Sequence, residues 1–164
     1  MIRKCTHQEM VAICTIINDA ARAYKGVIPQ DRWHEPYMPL EELRQEMARG
    51  VDLWGFEAGG ALLGVMGIQD RGEVDLIRHA YVRTRSRNRG IGSELLRHLE
   101  RLTPKPILIG TWADAAWAIR FYQRHGYRVL GRPETEVLLK KCWSIPERQV
   151  ATSVVLASPR WKSA

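Results

Sequence analysis

Apolar positions recur along this chain at two spacings, and the alternation between them divides it into helices and strands. Residues 2–5 read as a first strand. Thr6 followed by Glu9 makes a capping box, and Val11, Ile13, Ile16, Ile17 and Ala20 supply the apolar positions of a helix to about Tyr24, with Gly26 to end it. Pro39 opens a second helix through Leu40, Leu43 and Met47, and Gly50 closes it. Residues 51–57 and 61–69 flank Gly59-Gly60 as a hairpin, and 73–82 follows a turn as the next strand. A helix from Ser93 to Leu102 comes next. The almost wholly apolar stretch 106–112 then suits a strand buried on both faces. Asp114 precedes a helix carrying Ala118, Ile119 and Tyr122 and ending at Gly126. A strand at 127–131, a short helix from Pro133 to about Trp143 and a strand at 152–157 complete the pattern. The order β-α-α-β-β-β-α-β-α-β-α-β predicts one mixed α/β domain over 1–158, with a loose tail at 159–164.

Composition narrows the class. The chain has 164 residues, 45% apolar and 26% charged, enough for one packed core. No apolar run approaches the roughly 20 residues of a membrane helix. The opening MIRKCTHQEM has charge with no apolar stretch behind it, so no signal peptide is expected. Cys5, Cys14 and Cys142 form an odd set without ligand spacing; they read as reduced packing residues of a cytoplasmic protein, and no metal site is expected. The net charge of +7 asks for an anionic partner or reflects a solvated basic face that serves solubility.

That excess concentrates in RTRSRNRGIGSE, residues 83–94, where Arg83, Arg85, Arg87 and Arg89 alternate into Gly90-Ile91-Gly92 and a helix. A helix N-terminus offers unpaired N–H groups and about half a positive charge, and glycines let an anion approach the backbone. A P-loop needs Lys-Ser/Thr after its second glycine, and Ser93-Glu94 stands there. A dinucleotide fingerprint needs a third glycine where Leu95 stands. Arg87-Asn88-Arg89-Gly90-Ile91-Gly92 instead resembles the R/Q-x-x-G-x-G/A motif of the GCN5-related N-acetyltransferases, the GNAT family. Asp114 and Phe121-Tyr122-Gln123-Arg124-His125-Gly126-Tyr127 resemble the family's other conspicuous stretch.

The resemblance implies a largely antiparallel, mixed sheet of six to seven strands flanked by helices and splayed between the fourth and fifth strands. It implies acetyl-CoA as donor and an N-acetyltransferase acting by direct attack in a ternary complex. Ala80, Tyr81 and Val82 would pair with the pantetheine arm, and Arg87 to Ser93 would hold the pyrophosphate. Asp114 would either contact the cofactor or cap its helix, since the family more often has asparagine there. Thr84 and Ser86 also depart from the common pattern. Tyr122 stands at the position of the acid for the leaving thiolate, or packs on the sheet.

Two other requirements of amine acetylation point to further residues. A lysine-like amine costs about 4–5 kcal/mol to deprotonate at neutral pH. Glu73 and Asp75 share strand parity with His79 and Tyr81, so a carboxylate there can accept the proton through water if that face is the cleft. His79 reads first as a packing residue and second as a base. An oxyanion needs donors, which the backbone near Tyr81 or Val82 can supply. Tyr24, Trp33 and Tyr37, with Asp31 and Glu35 nearby, suit a compact cation, as acceptor pocket or as loop packing. The expected partner is thus a small-molecule amine, with no membrane, and a homodimer is compatible. Two other functions fit fewer features: an acyl-CoA-binding module without turnover, and a basic nucleic-acid-binding protein, for which no recognisable motif exists.

Overall fold

The computed structural model describes residues 1–163. Its strands are β1 (Ile2–Lys4), β2 (Val51–Ala58), β3 (Ala61–Asp70), β4 (Asp75–Val82), β5 (Ile107–Trp112), β6 (Arg128–Val129) and β7 (Ser153–Ala157). Its α-helices are α1 (Met10–Ala21), α2 (Leu40–Ala48), α3 (Ile91–Leu102), α4 (Ala116–Arg124), α5 (Arg132–Cys142) and α6 (Glu147–Ala151). The strands form a seven-stranded sheet in the order β1-β2-β3-β4-β5-β7-β6, with β1–β2, β2–β3, β5–β7 and β6–β7 antiparallel. The expected mixed, largely antiparallel fold class holds.

The chain forms two compact units. The first comprises Met1–Ala23, His34–Asp70 and Ile77–Pro104; the second comprises Tyr24–Trp33, Arg71–Leu76 and Lys105–Ala164. In the first, Ile13, Ile16 and Ile17 of α1 and Leu43 of α2 pack with Leu53 and Val65 of the hairpin strands. Of the apolar positions read from the sequence, Ile13, Ile16, Ile17 and Ala20 form the buried face of α1, whereas Val11 is exposed. In the second, Leu108 and Val155 pack with Leu138 and Leu139 of α5. All three cysteines are free and buried. No described helix is long and apolar enough to cross a membrane.

Several boundaries differ from the sequence reading, each for a local reason. The α-helical part of α1 stops at Ala21, and a tighter 3-10 turn carries the chain to Tyr24. Strand β4 begins at Asp75, leaving Glu73 outside it. Helix α6 was not expected, because five residues are too few to display a period. The tail expected to be loose from 159 is tied down through 163. Trp161 packs against the second core, its carbonyl accepts from Arg128, and its indole donates to Glu134 at 3.2 Å. Residue 164 lies outside the described residues.

The capping box forms as the spacing predicts: the Thr6 N–H donates to Glu9 Oε2 at 2.8 Å. Arg3 extends it, gripping both Glu9 oxygens at 2.7 and 3.0 Å while its Nε reaches Glu57 at 2.6 Å, so β1, the entry to α1 and β2 share one ion cluster. The Arg3 hydrogen bond, the Thr6 amide and the Arg3 charge hold the Glu9 carboxyl down to about 2 from an ordinary 4.5, against burial. A carboxyl lowered by folding stabilises the fold above its unfolded pKa and loses that contribution as pH falls. Stability should therefore decline from about pH 4.5 toward about 2. In Glu9→Gln that part of the acid limb should flatten, measured by urea unfolding midpoints against pH. An unchanged limb would remove the Arg3–Glu9 cluster from the account.

Candidate cofactor and catalytic site

The arginine-glycine loop is held from several directions within the first unit. At its entry, the Arg83 amide donates to the Leu63 carbonyl at 2.8 Å and its Nε to the Leu62 carbonyl at 2.7 Å. A 3-10 turn over Thr84–Ser86 follows, and Ser86 is buried inside it. The Thr84 amide donates to Asp19 Oδ2 at 2.7 Å, and an Arg87 guanidinium nitrogen donates to the Ala20 carbonyl at 3.1 Å. The end of α1 thus clamps the loop. The Thr84 amide bond is the largest influence on the Asp19 carboxyl and holds it below the usual carboxylate range, opposed by burial.

Two of the four arginines are consequently spent on backbone carbonyls. Arg85 and Arg89 are exposed and make no hydrogen bond or ion pair among the described residues. Sequence alternation could not make this division, because the 3-10 turn interrupts the strand after Arg83.

Two left-handed residues shape the turn into α3: Asn88 at φ 61° and Gly90 at φ 79°. Asparagine tolerates this region better than most residues, and glycine occupies it without penalty. A Cβ built at Gly90 meets nothing within 4 Å, so the space over the helix start is open. The first intrahelical bond runs from the Glu94 amide to the Gly90 carbonyl at 3.0 Å, so Ile91 and Gly92 have no carbonyl one turn back to donate to. Helix α3 is seated by Leu95, Leu96 and Leu99, all fully buried. Beneath its first turn, a Cβ on Gly64 of β3 would lie 2.9 Å from Ile91 Cγ2 and 3.3 Å from Val82 Cγ2. The structure therefore brings together Ala80, Tyr81, Val82 and Arg87 through Ser93 as one continuous strand-loop-helix segment.

The expected catalytic carboxylates are arranged differently from the sequence reading. His79 has φ 54°, in the left-handed region, within β4. A residue of that conformation interrupts the period-2 alternation of a strand. The face predicted to carry Glu73, Asp75, His79 and Tyr81 together is therefore not continuous. Glu73 is exposed before the strand, and Asp75 is buried with its carboxylate 3.6 Å from Lys105 Nζ, both in the second unit.

In place of that face stands a buried polar cluster that no local sequence pattern announces. Glu46 of α2 accepts from Arg78 at 2.9 Å through Oε1 and bonds His79 Nε2 through Oε2. Arg78 also donates to Gln69 Oε1 at 3.2 Å, and Gln69 donates to the Arg49 carbonyl at 3.2 Å. Burial pushes the Glu46 carboxyl up, but the His79 hydrogen bond and charge, with Arg78 and Arg49, outweigh it and hold the group below the usual range.

The second unit holds the remaining candidates apart from Tyr37. Tyr122 is buried on α4, edge-on to Phe121 at 5.0 Å and Tyr127 at 6.0 Å. Burial first, and then the neighbouring Tyr24, push its hydroxyl well above the usual phenol range. Asp114 is exposed, and its side chain caps nothing: the residue before α4 is Ala115, with no side-chain cap bond. Tyr24 stacks on Trp117 at 5.8 Å, and Asp31 pairs with Arg148 at 3.1 Å. Trp33 is half-buried in the second unit, whereas Tyr37 belongs to the first, stacked on His34 at 6.2 Å and packed against the core.

Residues 7–138 match the family model described as an acetyltransferase (GNAT) domain. A search of curated proteins matches none. Among solved structures, the chain is similar to the PaiA N-acetyltransferase of Thermoplasma acidophilum in complex with coenzyme A, with a TM-score of 0.73 at 16% identity over 96% of this chain and 97% of that one. It is also similar to the ribosomal-protein-S18-alanine N-acetyltransferase of Escherichia coli, with a TM-score of 0.68 at 13% identity over 100% and 96%. A third similarity is to the N-acetylglutamate synthase of Neisseria gonorrhoeae complexed with coenzyme A and N-acetyl-glutamate: TM-score 0.67, 15% identity, 99% of this chain and 35% of that one.

Substitutions at two positions test the loop as the coenzyme A site. Gly92→Leu places a side chain over the helix amides and should abolish binding in a variant that keeps the wild-type circular dichroism and melting temperature. Asp19→Ala removes one charged acceptor from the Thr84 amide; at about 1 kcal/mol this predicts roughly five-fold weaker coenzyme A binding by calorimetry. Asp19→Asn retains an acceptor oxygen and should bind nearly as wild type. Unaltered affinity in folded Gly92→Leu would place the cofactor elsewhere.

Proposed function

Because the chain belongs to the GNAT acetyltransferase family, whose donor is acetyl-CoA, we propose that it acetylates the amine of a small-molecule or amino-acid-like acceptor by direct attack in a ternary complex. The observation that carries this reading is the open helix start at Gly90, flanked by exposed, unpaired Arg85 and Arg89. A compact polyanion fits there: the amides of Ile91 and Gly92 offer hydrogen bonds, the helix end offers positive charge, and the two guanidinium forks match phosphate oxygens. When bound, acetyl-CoA supplies an activated thioester. Everything else falls to the chain.

The β4 segment Ala80–Tyr81–Val82 is proposed to align the pantetheine arm as an added strand, with one of its amides donating to the carbonyl oxygen as charge develops. Asp114, having no helix to cap, is left as an acceptor for a pantetheine amide. Tyr122 is proposed as the proton donor to the leaving sulfur. Its burial keeps the hydroxyl protonated across the working pH range, so the proton is in place until a thiolate demands it. Glu73 and Asp75 remain candidates for the base, although the Lys105 pairing of Asp75 and the exposure of Glu73 both weigh against them.

The aromatic candidates for a compact cationic acceptor are the half-buried Tyr24 and Trp33 of the second unit and, separately, Tyr37 of the first. The overall charge of +7 opposes a strongly basic peptide.

Acetyl-CoA consumption should be followed with a panel of spermidine, lysine, glutamate, tryptamine and an alanine-initiated peptide. Turnover of a small amine is expected; binding of acetyl-CoA with no turnover on any member would favour a non-catalytic acyl-CoA module. With the amine so identified, Tyr122→Phe should lower single-turnover rates by about 10²-fold at unchanged coenzyme A affinity. A loss of less than two-fold would return Tyr122 to a packing role. Trp33→Ala and Tyr37→Ala should raise the acceptor KM and leave that for acetyl-CoA alone; unchanged acceptor kinetics in both would move the pocket elsewhere.

A further inference from the structure

The geometry points to His79 as the base that takes the acceptor's ammonium proton, at Nδ1, with Glu46 as its positioning residue. This rests on the acetyltransfer reading above and names a group that reading lacks.

Four observations carry the assignment. First, Glu46 is a buried carboxylate flanked by Arg78, so His79 Nε2 must present its hydrogen to Oε2. In the neutral ring that fixes the tautomer and leaves the lone pair on Nδ1. Second, Nδ1 makes no hydrogen bond among the described residues and is not among the buried, unpartnered side-chain nitrogens, so solvent reaches it. The side chain is otherwise only 12% exposed. Third, the left-handed backbone at His79 is uncommon outside glycine, though histidine is among the residues that tolerate it better, and such conformations persist where surrounding contacts hold them. A Cβ on Gly67 would meet the Arg78 carbonyl at 2.9 Å, so β3 leaves the space that the bend requires. Fourth, His79 directly precedes Ala80–Tyr81–Val82, which leads into the open loop.

The charged and polar groups around the pair come from three elements. Glu46 and, just past its helix, Arg49 come from α2; Arg78 comes from β4; Gln69 comes from β3, joining Arg78 to the Arg49 carbonyl. Arg78 anchors Oε1 and so fixes Oε2 against the imidazole. Glu46 then stabilises the imidazolium formed when Nδ1 accepts a proton. In the step itself, the ammonium N–H breaks to Nδ1 and the freed lone pair forms the C–N bond at the thioester carbonyl. The C–S bond breaks with its electron pair on sulfur, which is protonated by the hydroxyl proposed above; the second N–H proton, acidified once the C–N bond has formed, passes through solvent to restore that hydroxyl. The imidazolium returns its proton to solvent.

The tautomer is read without turnover. In ¹⁵N-edited spectra of the wild-type protein, followed with pH to where the ring is neutral, His79 should carry its proton on Nε2 and none on Nδ1; the opposite tautomer would overturn the assignment whatever the enzyme acetylates. For the reaction, single-turnover rates are measured with whichever panel amine is acetylated. His79→Asn suits the left-handed backbone and should lower the rate about 10²-fold at neutral pH with coenzyme A affinity retained. The loss should shrink as pH rises and the amine deprotonates by itself. Glu46→Gln should move the acidic limb of the pH profile to lower pH, which a merely structural loss would not do. His79→Gly accepts the same backbone and should regain rate on addition of imidazole. A His79→Asn rate within three-fold of wild type, an unmoved limb in Glu46→Gln, or no rescue by imidazole would each sink the proposal while acetyltransfer stood. A wild type that acetylates nothing in the panel would remove both.

Discussion

The close approach permitted by Gly64 governs the arrangement of the arginine-glycine segment. Its missing side chain leaves room for Val82, at the end of β4, and for Ile91, at the start of α3. The intervening residues 83–90 are therefore closed over one glycine, with both ends fixed against β3. A helix that must offer its first amides to a ligand cannot also satisfy them internally. Its seat has to be provided by the side chains further along, and Leu95, Leu96 and Leu99 provide it. A methyl group at position 64 would push against Ile91 and tilt the amides without touching the ligand.

From that closure follows the division of labour among the basic residues. Arg83 and Arg87 answer backbone carbonyls of β3 and α1, and Asp19 answers the Thr84 amide. These bonds keep the loop in one conformation before any anion arrives, which reduces the ordering cost of binding. Arg85 and Arg89 keep their charge at the surface. The positive charge of the segment thus has two uses, one inside the chain and one outside it.

Local chemistry made much of this legible in the sequence. The Thr6–Glu9 capping box, the α1 apolar positions from Ile13 to Ala20 and the glycines at the start of α3 each express themselves within a few residues, although α3 begins at Ile91, before the second glycine. What stayed hidden depends on long-range encounters. Asp19 meets Thr84 across 65 positions, and Glu46 meets His79 across 33. Nothing near His79 signals a left-handed backbone, so simple alternation was carried through a residue that interrupts it. Helix α6 and the anchoring of Trp161 escaped for a related reason: short segments acquire their conformation from what they dock against. Asp114 looked like a cap because it precedes a helix, yet Ala115 occupies the cap position.

The left-handed backbone at position 79 also limits the substitutions open to this chain over evolutionary time. Most side chains are strained there, whereas asparagine and aspartate are comparatively well tolerated. Codons for both differ from those of histidine by a single change at the first base. The mutational neighbours most compatible with the fold are therefore also the ones most easily reached. The backbone would tolerate such a change, so what the substitution costs is decided by the Glu46 carboxylate that it leaves without its imidazole partner.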